Sequence, residues 1–198
     1  MSIVSNFASE ISQERGSTNP QTSDERTYTL LLSFKNKTIM IKSGIIKTIG
    51  QPRGIRNNNP LNIRKGGVPW QGQRSHDGKF CIFDKMESGY RAAFVLLNTY
   101  NQKHHLWTVI DIINRWAPPK DHNNTRAYVD RVCQLTGLHE TSNIVVDSWV
   151  ASQREEAIRF VWAMAKVENG DANVTDADME TVRKGYLLAF PKQAKVNG

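Results

Sequence analysis

Amphipathic helical segments between residues 87 and 187 constrain this chain more than any other feature. The first segment runs from Glu87 to Lys103, and four more follow it, each with apolar residues spaced three or four positions apart. The stripes include Tyr90, Phe94 and Leu97; Val109, Ile112 and Ile113; Tyr128, Val129 and Val132; Val161, Met164 and Ala165; and Val182, Tyr186 and Leu187. This pattern predicts a mainly α-helical domain.

Capping residues predict where these helices begin and end. Pro118-Pro119 ends the second helix, and Gly137 suits a left-handed C-cap for the third. The fourth helix runs to about Glu168 before Asn169-Gly170. The predicted N-caps of the last four helices are Thr108, Thr125, Ser152 (in a capping box with Glu155) and Thr175 or Asp176.

The first part of the chain differs in composition. Residues 1–26 are polar, which predicts a flexible leader. Residues 27–51 contain two short β-branched runs around Lys35-Asn36-Lys37, which predict a β-hairpin extension or linker. Residues 52–198 form the predicted main domain. Its Gly- and Asn-rich start predicts an irregular lobe with a hairpin near residues 79–83, so the fold class is mainly α with a small α+β lobe.

Charge and composition exclude several classes of protein. Of 198 residues, 26 are basic and 19 are acidic, so the net charge of +7 favours a polyanionic partner such as nucleic acid, an anionic membrane or the bacterial cell wall. A solvated basic surface without a partner is the alternative. The two cysteines, Cys81 and Cys133, exclude a disulfide scaffold. No apolar stretch predicts a transmembrane helix or a signal peptide, so we expect synthesis in the cytoplasm.

Asparagines are concentrated in the segment from Arg56 to Arg64. Asn57, Asn58, Asn59 and Asn62 favour turns, because their amides bond to nearby backbone and they tolerate left-handed conformations. The segment is therefore either a tight loop held by its own amides or a polar wall that faces a polyhydroxylated ligand. Trp70 follows closely and could stack on a sugar ring.

Glu168 lies at the predicted end of an apolar helix face. Partial burial there would raise its pKa, and a carboxylic acid that keeps its proton near neutral pH can protonate a leaving oxygen. An ordinary surface glutamate is the alternative. Trp116 begins a polar segment that ends at Thr125, which fits a groove wall or a simple helix corner. The histidines lack metal-binding spacing, and we expect no metal and no cofactor.

Several of these motifs together resemble the lysozyme-like domain of phage virion structural proteins and of related prophage or secreted effector proteins. The matching motifs are residues 53–64, 70–72, 80–83, 89–92, 116–118, 125–128 and 167–170. A second resemblance, to flagellar-type glucosaminidases, has the glutamate-bearing helix after the Asn-rich segment instead of before it. That order implies a circularly permuted lysozyme-like or glucosaminidase fold.

The resemblance implies an enzyme that cleaves peptidoglycan glycan strands, either a hydrolase (muramidase or glucosaminidase) or a lytic transglycosylase. Glu168 would be the general acid, with Glu87 as the first candidate for a second carboxylate and Asp84 and Asp77 behind it. The implied substrate-binding residues are Asn57, Asn58, Asn62, Trp70, Trp116 and Tyr128.

The implied partners are peptidoglycan and either an immunity protein or a phage or secretion apparatus. The enzyme would act in the periplasm or cell wall after lysis, phage delivery or dedicated secretion. Two alternatives stay open at this point. One is a non-catalytic virion or secretion-associated protein that binds the cell wall. The other is a nucleic-acid-binding protein, which only the net charge favours, and we do not expect it.

Overall fold

The computed structural model describes residues 29–34, 37–42 and 45–193, with side-chain burial from residue 50 onward. The chain divides into two compact units, residues 1–49 and 50–198. The predicted flexible leader, residues 1–26, lies outside the described residues. No helix in the described part of the chain combines the length and the apolar character needed to cross a membrane.

A three-stranded sheet makes up the described part of the first unit. Strands β1 (Thr29–Phe34) and β2 (Lys37–Lys42) pair antiparallel, with Thr29 opposite Lys42, which confirms the predicted hairpin. A third strand, β3 (Ile45–Gly50), lies next to β2 and was not predicted. The β-branched residues of β3 are its only local signal in the sequence.

The second unit is mainly helical, as predicted, with one small antiparallel sheet. The helices are α1 (Arg53–Arg56), α2 (Met86–His104), α3 (Val109–Trp116), α4 (Thr125–Thr136), α5 (Ala151–Asn169) and α6 (Met179–Ala189). The sheet pairs β4 (Gln73–His76) with β5 (Cys81–Phe83), which confirms a hairpin after the turn at residues 77–78.

The core forms where the apolar stripes of the helices meet. Helix α2 packs along α6, and α4 packs along α5. Phe94 meets Tyr186 edge to face, with ring centroids 5.2 Å apart. Gly185 permits this close approach, because a Cβ atom there would lie 2.4 Å from the Cβ atom of Tyr90. Burial of these stripes is what the helical periodicity predicted.

Two of the predicted helix starts were wrong. Asn124 caps α4, since its side chain accepts from the backbone N–H of Ala127; Thr125 instead donates its hydroxyl to the Ala117 carbonyl. Helix α5 begins at Ala151, before Ser152, and no side chain caps it. Two other caps were predicted correctly: Thr108 accepts from the Asp111 N–H, and Gly137 is left-handed at φ 74°. Thr175 forms a capping box with Asp178, but the box caps a short 3-10 turn at Asp176–Asp178, and α6 itself begins only at Met179.

The Asn-rich segment is fastened to the hairpin by one of its asparagines. Asn59 is completely buried, and its Nδ2 atom donates to the carbonyls of Ile63 and Cys81, each at 2.9 Å. Its Oδ1 atom accepts from the Ile63 N–H at 2.8 Å. Gly89 of α2 lets the segment approach closely, because a Cβ atom there would lie 2.1 Å from the Asn58 carbonyl oxygen. The loop therefore has a fixed position between the hairpin and the helices.

Candidate active site

Glu168 lies in the last turn of α5 and receives hydrogen bonds from three separate parts of the domain. Asn62 donates from Nδ2 to Oε2 at 2.8 Å. Trp116 donates from Nε1 to Oε1 at 3.3 Å, and the Tyr128 hydroxyl donates to the same oxygen at 3.2 Å. The carboxyl group is thus held in one orientation by groups from the loop, from the end of α3 and from α4.

The pKa of Glu168 is raised above its ordinary value of 4.5, and burial is the main cause. The hydrogen bonds from Asn62, Trp116 and Tyr128, and the positive charge of Arg53, act in the opposite direction. Burial outweighs them together. A carboxyl group in this environment holds a proton at a higher pH than an exposed one, which is the property a general acid needs.

The backbone and Arg53 set the orientation of the Asn62 amide. Asn62 is left-handed, at φ 50°. Arg53 donates from Nε to Asn62 Oδ1 at 3.2 Å, and its guanidinium lies 3.6 Å above the ring of Phe80. Because Oδ1 accepts from arginine, the amide nitrogen is left to face Glu168. Arg53 therefore positions the donor as well as placing a positive charge near the acid.

Asn169 fastens the loop to the end of α5, next to Glu168. It is buried, and its Nδ2 atom donates to the carbonyls of Pro60 at 2.7 Å and Ala165 at 2.8 Å. Gly54 leaves room for it, because a Cβ atom at that position would lie 2.3 Å from Asn169 Oδ1. These contacts therefore fix the distance between the Asn-rich loop and α5.

Trp116 and Tyr128 form the opposite side of the acid. Trp116 ends α3, and its ring meets Tyr100 edge to face at 6.2 Å. Tyr128 is buried, and burial, followed by the charge of Glu168, raises its pKa well above the ordinary value. The Tyr128 hydroxyl therefore remains a neutral hydrogen-bond donor at neutral pH.

Two pockets lie next to Glu168 or next to the residues that bond to it. One, the main cleft, has a volume of about 530 Å³, and the other, the acid pocket, about 360 Å³. The main cleft is lined by Asn62, Ile63, Arg64, Gly66, Gly67, Val68, Trp70, Leu96, Tyr100, Arg115, Trp116, Pro118, Lys120 and Asp121. The acid pocket is lined by Ala117, Asn123, Asn124, Ala127, Tyr128, Val167 and Glu168. Glu168 lines the acid pocket, and two residues that line the main cleft, Asn62 and Trp116, donate hydrogen bonds to it.

Five of the predicted site residues thus come together around these pockets: Asn62, Trp70, Trp116, Tyr128 and Glu168. Three others lie elsewhere. Asn57 is buried and donates to Asp77 Oδ2 at 2.8 Å, and Asn58 donates to the Phe83 carbonyl at 3.2 Å. Glu87 lies in the first turn of α2, at a separate pocket that Lys85 and Lys184 also line.

The other candidate carboxylates have structural partners in the hairpin lobe. Asp77 closes the turn between β4 and β5: it accepts from the Phe80 N–H and from Asn57, and these bonds lower its pKa. Asp84 lies 4.0 Å from Arg74, and a hydrogen bond from Ser88 is the main cause of its lowered pKa. Neither lines the main cleft or the acid pocket. Among the described residues, no three His, Cys, Asp or Glu side chains cluster in a way that could hold a metal ion.

The sequence did not predict the roles of Arg53 and Asn169, which hold Glu168 and the loop in place. Asn169 bonds to the Pro60 carbonyl 109 positions away, a contact that the linear sequence does not display. Asn59 bonds to Ile63 only four positions away, which agrees with the predicted alternative of a loop held by its own amides. Both Arg53 and Asn169 lie inside the motifs that carry the resemblance.

The fold and site together define a mainly helical domain with a small hairpin lobe and a half-buried glutamate between aromatic and amide donors. No family model matches the chain. Protein P5 of Pseudoalteromonas phage PM2 is 33% identical to it over 143 residues, which cover 70% of this chain and 82% of Protein P5. The chain belongs to the family of this phage protein.

Proposed function

We propose that this protein is a phage-associated enzyme that cleaves the glycan strands of peptidoglycan, with Glu168 as its general acid. The observation that carries the proposal is the environment of Glu168: a half-buried carboxyl group with a raised pKa that lines the acid pocket and is oriented by three donors, two of which also line the main cleft. Perturbed carboxyl groups in clefts are typical of catalytic acids.

We also propose a lysozyme-like fold in the circularly permuted order. The support is the contact between Asn62 and Glu168, which joins the Asn-rich loop to the acid-bearing helix although the loop precedes that helix in the chain. The hairpin of β4 and β5 extends from the same loop. A glutamate helix, an Asn-rich loop and a hairpin around one cleft are the parts that the resemblance implies.

The chemistry that fits this site best is a lytic transglycosylase reaction. Among the described residues, Glu168 is the sole carboxylate that lines the acid pocket; Asp121 of the main cleft is paired with Arg64 at 3.2 Å. A retaining or inverting hydrolase needs a second carboxylate at a defined separation. Intramolecular attack by the substrate needs one residue that serves first as acid and then as base.

In this mechanism protonated Glu168 gives its proton to the glycosidic oxygen as the bond from that oxygen to the muramic acid C1 breaks. The C6 hydroxyl of the same sugar then attacks C1 and returns its proton to the Glu168 carboxylate. The products are a 1,6-anhydro end and a free hydroxyl, and no water is consumed. The donors from Asn62, Trp116 and Tyr128 stabilise the carboxylate that exists between the two steps.

The main cleft is the proposed binding site for the glycan. Trp70 and Trp116 present aromatic faces and Asn62 presents an amide, which suits a chain of sugars. The phage relative supports delivery with a virion or at lysis, and hence a phage apparatus as partner and the periplasm or cell wall as site of action. Action there would explain a net charge of +7, because the bacterial wall is anionic.

Incubation of purified peptidoglycan with wild-type protein and with Glu168→Gln, followed by mass analysis of released fragments, tests the proposal. We expect anhydro-ended fragments from the wild type and none from the variant. Reducing muramic acid or glucosamine ends would retain the enzyme but replace transglycosylation by hydrolysis. Binding without release by both folded proteins would favour the alternative, a non-catalytic phage protein that binds the wall. Equal cleavage by both would remove Glu168 from the mechanism.

A further inference from the structure

A second pocket continues the main cleft beyond its tryptophans. This outer pocket has a volume of about 390 Å³ and is lined by Leu106, Asp111, Asn114, Arg115, Pro118 and Lys120. Arg115, Pro118 and Lys120 also line the main cleft, so the two spaces meet at these residues. A ligand in the main cleft that carries a branch therefore has a place for the branch here.

Two basic residues, Arg115 and Lys120, line both the main cleft and the outer pocket, and neither forms an ion pair with a carboxylate among the described residues. Arg64 and Asp121 of the main cleft neutralise each other. Asp111 of the outer pocket accepts a hydrogen bond from the Thr108 hydroxyl at 2.6 Å, at the start of α3. The side chains of Arg115 and Lys120 are exposed, and in the outer pocket their two positive charges outnumber the single negative charge of Asp111.

Arg115 contacts Tyr100, which also contacts Trp116 beside Glu168. Its guanidinium lies 5.1 Å from the ring centroid of Tyr100, and one of its nitrogens lies 3.2 Å from His104 Nε2. Tyr100 in turn contacts Trp116, which donates to Glu168. Tyr100 and His104 therefore limit the positions of the Arg115 guanidinium, which lowers the entropic cost of binding an anion.

We infer that Arg115 and Lys120 bind a carboxylate of the peptide stem of peptidoglycan, so that the enzyme selects glycan that still carries its stems. The inference rests on the proposed function. The stem branches from the muramic acid lactyl group and carries free carboxylates, which matches a branch pocket beside a sugar-binding cleft. Guanidinium and ammonium groups are the natural partners of a carboxylate.

Binding of Glu168→Gln protein to two substrates tests this inference without any cleavage. The substrates are intact peptidoglycan and stripped glycan, which is the same material with its carboxylates converted to neutral methylamides, since removal of the stems by an amidase would leave a lactyl carboxylate on each muramic acid. We expect tighter binding to the intact material, and we expect Arg115→Gln with Lys120→Gln to reduce that binding by about fivefold or more, the size associated with two exposed ion pairs. Binding to stripped glycan should be the same with and without these two substitutions.

The matched control is Arg159→Gln with Lys192→Gln, which removes the same charge from exposed positions outside the three pockets. An equal loss of binding in the control pair would overturn the inference, since net charge alone would then explain the effect. Equal affinity for intact and stripped glycan would also overturn it. So would an equal loss of affinity for duplex DNA, because that result assigns the cations to polyanions in general.

The outcomes separate this inference from the proposed function. Stem-dependent binding that requires Arg115 and Lys120, in a wild-type protein that releases no fragments, would support the anion site and reject the enzyme. Release of fragments together with stem-independent binding would support the enzyme and reject the anion site.

Discussion

Glu168 and Glu87 are both carboxylates near the end of a long helix, yet the structure gives them different surroundings. Glu168, in the last turn of α5, lines the acid pocket and receives three hydrogen bonds. Glu87, in the first turn of α2, lies at a pocket that it shares with lysines and leucines. A negative charge near a helix N-terminus is favourable, whereas one at a C-terminus opposes the helix dipole.

The comparison shows that the position of a carboxylate in a helix decides whether its negative charge favours or opposes folding. A carboxylate whose position opposes folding is a candidate for a functional role. Glu168 is partly buried, opposes the dipole of α5 and has no cation in direct contact with it, so its placement is unfavourable for folding. It is nevertheless satisfied by donors from three distant segments. Glu87 needs no such support, because the start of a helix accepts an acidic residue readily.

Replacement of each carboxylate by its amide gives the largest predicted difference. Glu168→Gln removes the acid, and we expect the rate of fragment release to fall by about 10²-fold to 10⁴-fold, the usual contribution of general acid catalysis. Glu87→Gln should leave the rate within about twofold, because its pocket is separate from the acid; the control is an unchanged circular dichroism spectrum for both variants. A large loss in Glu87→Gln would return Glu87 to the catalytic site.

The contacts of Asn169, which fasten the loop to the end of α5, give the next effect. Gly54→Ala places a methyl group against Asn169 Oδ1, and we expect a loss of unfolding free energy of about 1–3 kcal/mol, the range for overpacking. Gly67→Ala is the matched control, because a Cβ atom there has no neighbour within 4 Å. Chemical denaturation of both variants measures the difference. Equal stability would mean that the loop is not held against the helix.

Removal of a single donor gives a smaller effect. Trp116→Phe keeps an aromatic ring in the cleft but loses the Nε1–H that bonds to Glu168 at 3.3 Å. We expect kcat for fragment release to fall by about tenfold, which corresponds to one hydrogen bond to a charged group. Trp149→Phe, at an exposed position, is the control. An effect on KM alone would assign Trp116 to sugar binding and not to the acid.

The dependence of stability on pH gives the smallest predicted effect. Because the folded state raises the pKa of Glu168 above 4.5, folded protein binds the proton more tightly than unfolded protein. The wild type therefore loses stability as the pH rises from 4.5 through the folded pKa, and Glu168→Gln does not have this loss. The Tm of the variant relative to the wild type should rise across that window. A relative Tm that falls with pH would contradict the raised pKa.

Much of the helical architecture could be predicted because each helix carries its own apolar period. The exact N-cap could not be predicted where two neighbouring residues were both able to cap. Either Asn124 or Thr125 could accept from a backbone N–H of the first turn, and only tertiary contacts decide between them. Strand β3 was missed because a short β-branched run has no period that separates it from a linker.

The partial burial of Glu168 could be predicted from its apolar helix face, but its neighbours could be predicted only in part. Four asparagines in one loop have the same chemistry, and the sequence cannot assign them to different uses. In the structure, Asn57, Asn58 and Asn59 bond within the lobe while Asn62 turns toward Glu168. That division depends on two left-handed residues and on contacts over long sequence separations, which local patterns do not encode.

Titration of the Glu168 carboxyl carbon by NMR tests the central claim most directly. Protein labelled with ¹³C at the glutamate side chains would be compared with Glu168→Gln, which identifies the Glu168 signal by its absence. The account predicts a midpoint above 4.5 in the wild type, and a midpoint higher still after Arg53→Gln, because the charge of Arg53 lowers this pKa. A midpoint at or below 4.5 would contradict the account, since burial would then not raise the pKa of Glu168.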